Sequence, residues 1–384
     1  MAVRRVYLDH NASAPLLPSA REAMIAALDL TANASSVHHE GREARRIVEA
    51  ARRDVAALCN AKPEHVVFTS GASEAVALVL TPNWKMGRSP LTYSRLYVAA
   101  TDHSIVVGGG RFRPEQVVML PVTASGILDL KALADALAAH DKAEGLPLVA
   151  VHLANNESGV VQPAAKIADI VHEAGGLLVL DSVQAGGRIS VDISELRADF
   201  LILAAHKLGG PKGAGALVGT SDVLMPSPIA VGGGQEKGHR AGTENYAAIA
   251  GFGAAAREAL ANLARAGELL QRREKIEQIV REIVPDAIIF AEGEERLPNT
   301  VFFSIPGVKA ETALIAFDLA GVSISAGSAC SSGKVGASRV LRAMGFGDTI
   351  SGLRVSVGHQ TTDEDIERFA SALRDFVGRR KSAA

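Results

Sequence analysis

Short apolar runs alternate with amphipathic stretches from Lys62 to about Thr220. The runs are Val66–Thr69, Leu96–Ala100, Leu146–His152, Leu177–Leu180 and Phe200–Leu203, with Gly215–Val218 as a sixth. Their shortness and the flanking Gly and polar residues favour strand over buried helix. Between them Leu128–His140 and Pro163–Ala174 carry helical spacing, Pro163 suiting a first turn and Gly175 a C-terminal stop. Strands and helices in alternation specify a mostly parallel sheet with helices packed on it, an α/β architecture.

Further along, Ala248 to Val284 shows a nearly unbroken helical pattern rich in Ala, Leu, Glu and Arg. It is too long for a crossover helix and predicts the link into a second domain. Thr300–Ser304 and Arg354–Val357 read as strands there and Ala310–Leu319 as a helix. A last helix, Asp363 to about Phe376, is announced by Thr361 and Glu364 at capping-box spacing.

The 384 residues, 48% of them hydrophobic and 21% charged, suffice for roughly two domains with sizeable cores. A formal net charge of -2, with both signs mixed along the chain, removes any general electrostatic reason to bind nucleic acid or anionic membrane. The first ten residues contain no signal-peptide core, and no apolar run reaches the ~20 residues of a membrane span, so a cytoplasmic location is expected. Only Cys59 and Cys330 are present, without a CxxC pair. That argues for free thiols in a reducing compartment.

Polar residues follow the apolar runs. Val66–Thr69 leads into Ser70-Gly-Ala-Ser-Glu74, Leu96–Ala100 into Thr101-Asp-His103, and the run to His152 into Asn155-Asn-Glu157; the next two end in Asp181 and Lys207. Open α/β sheets bind ligands outside the carboxyl ends of their strands, so these groups should share one crevice. An acid closing one strand and a lysine closing its neighbour is what a pyridoxal phosphate site needs, the acid facing the ring nitrogen and the lysine holding the aldehyde carbon as a Schiff base. Alone, Asp181 would read as a helix cap and Lys207 as a solvated charge. Together, with Gln184 within a helical turn of the acid, they favour the cofactor.

Ser70–Ser73 can present backbone N–H groups and a hydroxyl to a phosphate, helped by the helix dipole. His103 in such a crevice suits a ring stacked on a flat cofactor. His38 and His39 lack a third ligand at zinc-like spacing, so no metal is expected. The Gly-rich basic loop Gly232–Thr243 reads either as a connection or as a phosphate or carboxylate contact. Gly210–Gly215 lacks the GK[ST] ending of a nucleotide loop, which rules against ATP. Cys330 lies in Ser325-Ala-Gly-Ser-Ala-Cys-Ser-Ser-Gly333, too small and polar a setting to bury it, with Lys334 and Arg339 near enough in sequence to favour a thiolate. Cys59, closing an amphipathic helix from Gly41 to Leu58, reads as packing.

These motifs, spread almost end to end, resemble the cysteine desulfurases of the class V aminotransferase group. The resemblance is carried by Tyr7-Leu-Asp-His-Asn-Ala-Ser13, Asn33-Ala-Ser-Ser-Val-His38, Thr69–Glu74, Asn155–Gln162, Asp181–Gln184, His206-Lys207, Gly210-Pro-Lys-Gly213, Arg240-Ala-Gly-Thr243 and Gly327–Ser331. The cysteine loop followed by Ser338–Gly345 is similar to the branch with an extended, mobile loop. The resemblance implies a fold type I transferase: a large domain over 14–250 with a mostly parallel seven-stranded sheet, and a smaller α+β domain made of 1–13 and 251–384 that carries the loop at about 325–336.

It also implies roles. Lys207 would bind pyridoxal 5'-phosphate and shuttle a proton at the substrate's Cα, Asp181 would keep the ring nitrogen protonated, Gln184 would meet the phenolic oxygen, Asn156 would position the ring and His103 stack on it. Ala72, Ser73, His206 and Thr243 would hold the phosphate, Thr243 from the second subunit of a homodimer. Arg354 would pair with the substrate carboxylate, supported by Asn33 and Asn156. Cys330 would take the sulfur of L-cysteine as a persulfide, with His103 as proton acceptor, and pass it to an acceptor protein of iron–sulfur cluster or tRNA thiolation type. A selenocysteine lyase, another class V lyase or aminotransferase, and a partner-dependent sulfur-relay protein are the alternatives. The chain departs from the family at Ser13, Ala14, Asn33-Ala34, Ser73, Asp102 and Ala204; loss of the hydroxyl at 204 should weaken cofactor retention by about 1 kcal/mol.

Overall fold

The computed structural model describes residues 5–327 and 338–383. Cys330 and most of the 325–336 loop lie outside the described residues. The first layer system is a sheet ordered β5-β4-β6-β7-β8-β9-β2, extended by β3 and β10 along the first part of β4. Its members are β2 (Val66–Thr69), β3 (Asn83–Met86), β4 (Ser89–Ala99), β5 (Val117–Leu120), β6 (Leu146–His152), β7 (Leu177–Asp181), β8 (Phe200–Ala204), β9 (Gly215–Gly219) and β10 (Leu224–Pro226). β4 to β8 run parallel where they pair, and β9 is antiparallel to both neighbours.

Side chains alternate across this sheet, as a two-residue period requires. Val149, Val151, Leu178, Leu180, Leu201 and Leu203 face one core. Leu148, Ala150, Val179 and Ile202 face the other. Because both faces are covered, β6 to β9 read as continuous apolar runs. The first core is roofed by α2 (His39–Leu58), α5 (Leu130–Ala138), α6 (Ala164–Glu173) and α7 (Tyr246–Asn262), with α1 (Pro18–Leu28) against α7; α3 (Ala72–Val79) and the short α4 (Ser104–Val107) lie on the second. Gly253 of α7 lets its backbone approach α2: a Cβ there would sit 2.6 Å from Ala51 Cα.

A second hydrophobic core lies between a four-stranded sheet and its helices. The sheet runs β11 (Ile288–Ile289), β12 (Thr300–Ser304), β15 (Leu353–Ser356), β14 (Ser325–Ala326), and the helices are α8 (Ala266–Ile283), α9 (Ala310–Leu319) and α11 (Asp363–Ala383). α10 (Arg339–Ala343) follows the cysteine segment, while β1 (Val6–Tyr7) pairs with β13 (Val322–Ser323), so the N-terminus joins this core.

Three differences from the sequence reading have physical causes. The 248–284 pattern is two helices, because a single 3-10 turn at Leu263–Arg265 redirects the chain. Phe252, Ala255, Ala256 and Ala259 then join the first core and Leu269, Ile276 and Val280 the second, a change of core later than residue 250. The cap of α11 is Thr362, which exchanges hydrogen bonds with Asp365, whereas Thr361 Oγ1 accepts the Gly358 N–H at 3.0 Å. Finally β3 and the first half of β4 mix polar residues with apolar ones, so their apolar signal is weak, and only Trp84 of β3 is buried; β5 and β10 are apolar but only four and three residues long.

Candidate active site

The carboxyl ends of β4, β6, β7 and β8 gather the polar groups. Asp181 ends β7, and its carboxylate accepts the Val183 N–H (3.0 Å). Burial raises its pKa; the Val183 N–H and nearby His103 oppose that rise. His103 caps α4 through Nδ1, which accepts the Ile105 N–H at 3.3 Å. Burial lowers its pKa, Asp181 works the other way, and Lys207 and Arg339 add to the lowering, so His103 stands within electrostatic reach of the acid and the lysine together. With Nδ1 accepting, the neutral ring carries its proton on Nε2.

Lys207 sits in the turn that follows β8. Its Nζ donates to the carbonyls of Asn11 (2.5 Å) and Ala12 (2.9 Å). Gln184 Nε2 donates to the same Asn11 carbonyl (3.0 Å), while Gln184 Oε1 accepts from Arg188 (2.9 Å). Asn11 in turn reaches the second sheet: its N–H donates to Ser356 Oγ (2.9 Å), its Nδ2 to Thr300 Oγ1 (2.9 Å), and its Oδ1 accepts from Asn299 (3.1 Å). One buried asparagine therefore ties the lysine to both cores.

Arg354, 1% exposed, comes from β15. It donates to Asp9 Oδ1 (2.6 Å) and to the Asn156 carbonyl (2.8 Å), and its buried Nε has no partner among the described residues. Asn156 thus contributes its backbone rather than its amide to these contacts, and its carbonyl also receives Asn11 Nδ2 at 3.4 Å. Below the crevice, the wholly buried Asp102 accepts from the N–H groups of Ala99 (2.6 Å) and His152 (2.7 Å) and from His152 Nδ1 (2.5 Å). Since Nδ1 must donate to that carboxylate, His152 Nε2 accepts from Gln162, 3.2 Å away.

At the other end, Ala72 and Ser73 open α3, whose first N–H groups have no intrahelical acceptor. Glu74 steadies that turn, accepting from Ser70 N (2.6 Å) and from Arg240 Nε (2.9 Å), which brings the Gly232–Thr243 loop alongside. His206 Nδ1 lies 3.4 Å from Ser13 Oγ; burial, reinforced by Lys207 and Lys212, lowers its pKa to about 4, so it is neutral at pH 7. Thr243 and Asn33 are exposed, Asn33 with its Oδ1 on the Ser35 N–H (2.9 Å), so the single chain does not draw either into the crevice. Cys330 lies outside the described residues.

A model of the family described as aminotransferase class-V matches residues 6–369. The chain belongs to that family. It is 38% identical to a cysteine desulfurase of Frankia sp. (strain EuIK1) over 98% of this chain and 92% of that protein. It is 34% identical to an IscS-like cysteine desulfurase of Mycobacterium tuberculosis, covering 98% of each. Among solved structures, a NifS-like protein from Rickettsia africae superposes with a TM-score of 0.85 at 31% identity, covering 98% of this chain and all of that one. The fold is the expected fold type I, with its seven-stranded core sheet.

Class V enzymes work with pyridoxal phosphate, and the residues here fit that group. The donor set matches its three polar regions: an acid for the ring nitrogen, an amine for the aldehyde carbon and a helix N-terminus for the phosphate. A Cβ placed on Gly71 or Gly213, flanking this helix start and β9, would touch nothing within 4 Å, so there is room beside the phosphate-facing turn. Ala204, buried in β8, offers no hydroxyl.

Sequence reasoning passed over Asn11 as a functional residue, although it sits in the Tyr7–Ser13 motif. It also left Glu157 without a role, though the residue lies in the turn after β6 that carries Asn155 and Asn156. Both act through partners far away in the chain.

Proposed function

We propose that this protein is a pyridoxal phosphate-dependent cysteine desulfurase that converts L-cysteine to L-alanine and takes the sulfur onto Cys330 as a persulfide. The observation that carries the reading is the short link from amine to guanidinium. Lys207 donates to the Asn11 carbonyl, Asn11 Nδ2 to the Asn156 carbonyl, and Arg354 to that same Asn156 carbonyl. An amino acid whose amine is handled at Lys207 would thus have its carboxylate at the guanidinium of Arg354, whose buried Nε has no partner among the described residues.

The bound cofactor supplies an electron sink that makes the substrate's Cα proton removable and its side chain labile. Lys207 moves that proton at Cα. Asp181, its carboxylate fixed by Val183 N, holds a proton at the ring nitrogen. Arg354 orients the carboxylate through a charge-assisted fork. The Cys330 thiolate attacks the substrate sulfur: the S–S bond forms, the Cβ–S bond breaks, and its electron pair stays with the substrate carbon, which is then protonated to give alanine. His103 can accept the thiol proton at Nε2 by shifting its own to Nδ1 and releasing the long bond to Ile105 N.

The reading further includes a homodimer, in which Thr243 reaches the partner's phosphate site with Ala72, Ser73 and His206, and Asn33 supports the substrate end. It includes two domains, a sulfur-acceptor protein of the iron–sulfur cluster or tRNA thiolation type, and a cytoplasmic location; among the described residues no helix is long and apolar enough to cross a membrane. The test is a spectrum of the purified protein followed by addition of L-cysteine and reductant. A band near ~420 nm, with equimolar alanine and sulfide that are lost in Cys330→Ser, is expected. A band with no sulfide would move the function to another pyridoxal phosphate reaction, and no band would sink the cofactor assignment.

A further inference from the structure

We propose that Glu157 is a positioning residue for Cys330: its carboxylate holds Gly327 and Ser338, the two residues that bracket the cysteine segment, against the turn at residues 155–158. The proposal rests on the desulfurase reading for the role of Cys330, but its own evidence lies in described residues. Ser338 Oγ donates to Glu157 Oε2 at 2.6 Å and accepts the Leu341 N–H at 3.1 Å, so both the proton and a lone pair of that hydroxyl are committed. On the other side, a Cβ built on Gly327 would fall 1.9 Å from the same Oε2. A side chain there would have to displace the carboxylate, which lies against the backbone. One oxygen atom therefore meets both ends of the stretch that contains Cys330.

The ledge under Glu157 is rigid. Its N–H and that of Ser158 donate to Asn155 Oδ1 (2.9 Å each), and Asn155 Nδ2 donates to the Thr101 carbonyl (3.0 Å). Arg339, the next residue after Ser338, donates to the carbonyls of Ala100 (3.2 Å) and Asp102, beside His103. From Gly327 backwards, Ser325 pairs directly with Arg354. The described residues on either side of the segment thus reach the carbonyls beside the residue assigned to the thiol proton and the strand of the arginine assigned to the substrate carboxylate. Glu157 is itself buried, which raises its pKa against the opposing effect of Ser338, Arg354 and Arg339. A buried carboxylate with a hydroxyl as its hydrogen-bond partner is a poor way to gain stability, so placement is the better account of it.

The experiment compares the wild-type holoenzyme with Glu157→Ala, Glu157→Gln, Gly327→Ala and the Glu157→Ala/Gly327→Ala double variant. Alanine formation and the rate at which iodoacetamide alkylates Cys330 are measured. Cys59 does not interfere, being fully buried with its thiol pushed up to about 12. Glu157→Ala should lower kcat about tenfold with KM changed less than about twofold, the loss expected for one hydrogen bond to a buried charged group. It should also change the alkylation rate by at least about threefold while leaving the cofactor band intact. Glu157→Gln, whose amide oxygen still accepts from Ser338, should recover most of the rate. Gly327→Ala should be impaired like Glu157→Ala, and the double variant no worse than Glu157→Ala alone, since both act on one contact.

Wild-type kcat and alkylation rate in Glu157→Ala would overturn the proposal, as would additive losses in the double variant. If Glu157→Ala does not fold, wild-type rates in Gly327→Ala would overturn it equally. A wild-type protein that releases neither alanine nor sulfide would refute the desulfurase reading instead, and the alkylation comparison would still judge Glu157.

Discussion

Replacing Arg354 by Lys tests the substrate site most directly. The guanidinium spends one N–H on Asp9 and one on the Asn156 carbonyl and leaves its buried Nε without a partner among the described residues. A lysine keeps the charge opposite Asp9 but loses the planar fork and the reach to Asn156. A hydrogen bond to a charged group contributes roughly 1.5–3 kcal/mol, so losing one to the substrate carboxylate should cost about 2 kcal/mol in kcat/KM, close to thirtyfold. The Asn156 carbonyl would keep only the long 3.4 Å bond from Asn11 Nδ2, which should separately lower folding stability by about 1 kcal/mol. The assay is alanine formation against L-cysteine concentration, with L-cysteine methyl ester as the comparison. Wild type and variant should differ about thirtyfold on the acid and by less than about threefold on the ester, which lacks the carboxylate charge. An equal loss on both compounds, or a KM for L-cysteine within about twofold of wild type, would refute the assignment of Arg354.

Three further outcomes are expected. His10 is buried beside Arg188 and His359, and burial first, then those charges, lower its pKa to about 4. A lowered histidine pKa means the unfolded chain binds the proton first, so stability falls as pH drops from about 6.5 towards 4, by at most about 3 kcal/mol for this group; His10→Asn should flatten that part of a Tm-against-pH curve, and an unchanged slope would exclude it. Glu236→Gln breaks the buried pair in which Arg52 donates to both carboxylate oxygens (2.7 and 2.8 Å) and Phe68 N to one (2.8 Å), and should cost about 3–5 kcal/mol in urea unfolding; under about 1 kcal/mol would count against it. Asn11→Ala keeps the carbonyl that holds Lys207 but drops the side-chain bonds to Thr300 and Asn299, so unfolding should lose about 2–3 kcal/mol while the cofactor band persists.

What was legible in the chain, and what was not, follows from the range of the interactions involved. β6 to β8 declared themselves because a strand covered on both faces must be apolar throughout, and Asp181, Lys207 and His103 because the residue after such a strand needs no other reason to be charged. α7 and α8 could not be separated, since Asn262-Leu-Ala-Arg265 contains no Gly or Pro and only the change of core from Ala259 to Leu269 shows the break. The same limit hid Glu157. Its neighbours in sequence, Asn155 and Asn156, announce a strand-end site, but its partners are 170 and 181 residues away, at Gly327 and Ser338. Asn11 is a sharper case, for its local sequence predicts no more than a turn after β1, whereas its contacts run to Gln184, Lys207, Asn299, Thr300 and Ser356. Local patterns therefore identify which residues carry chemistry, and residues such as Asn11 and Glu157, whose local pattern is silent, decide where the second sheet holds its arginine relative to the lysine of the first.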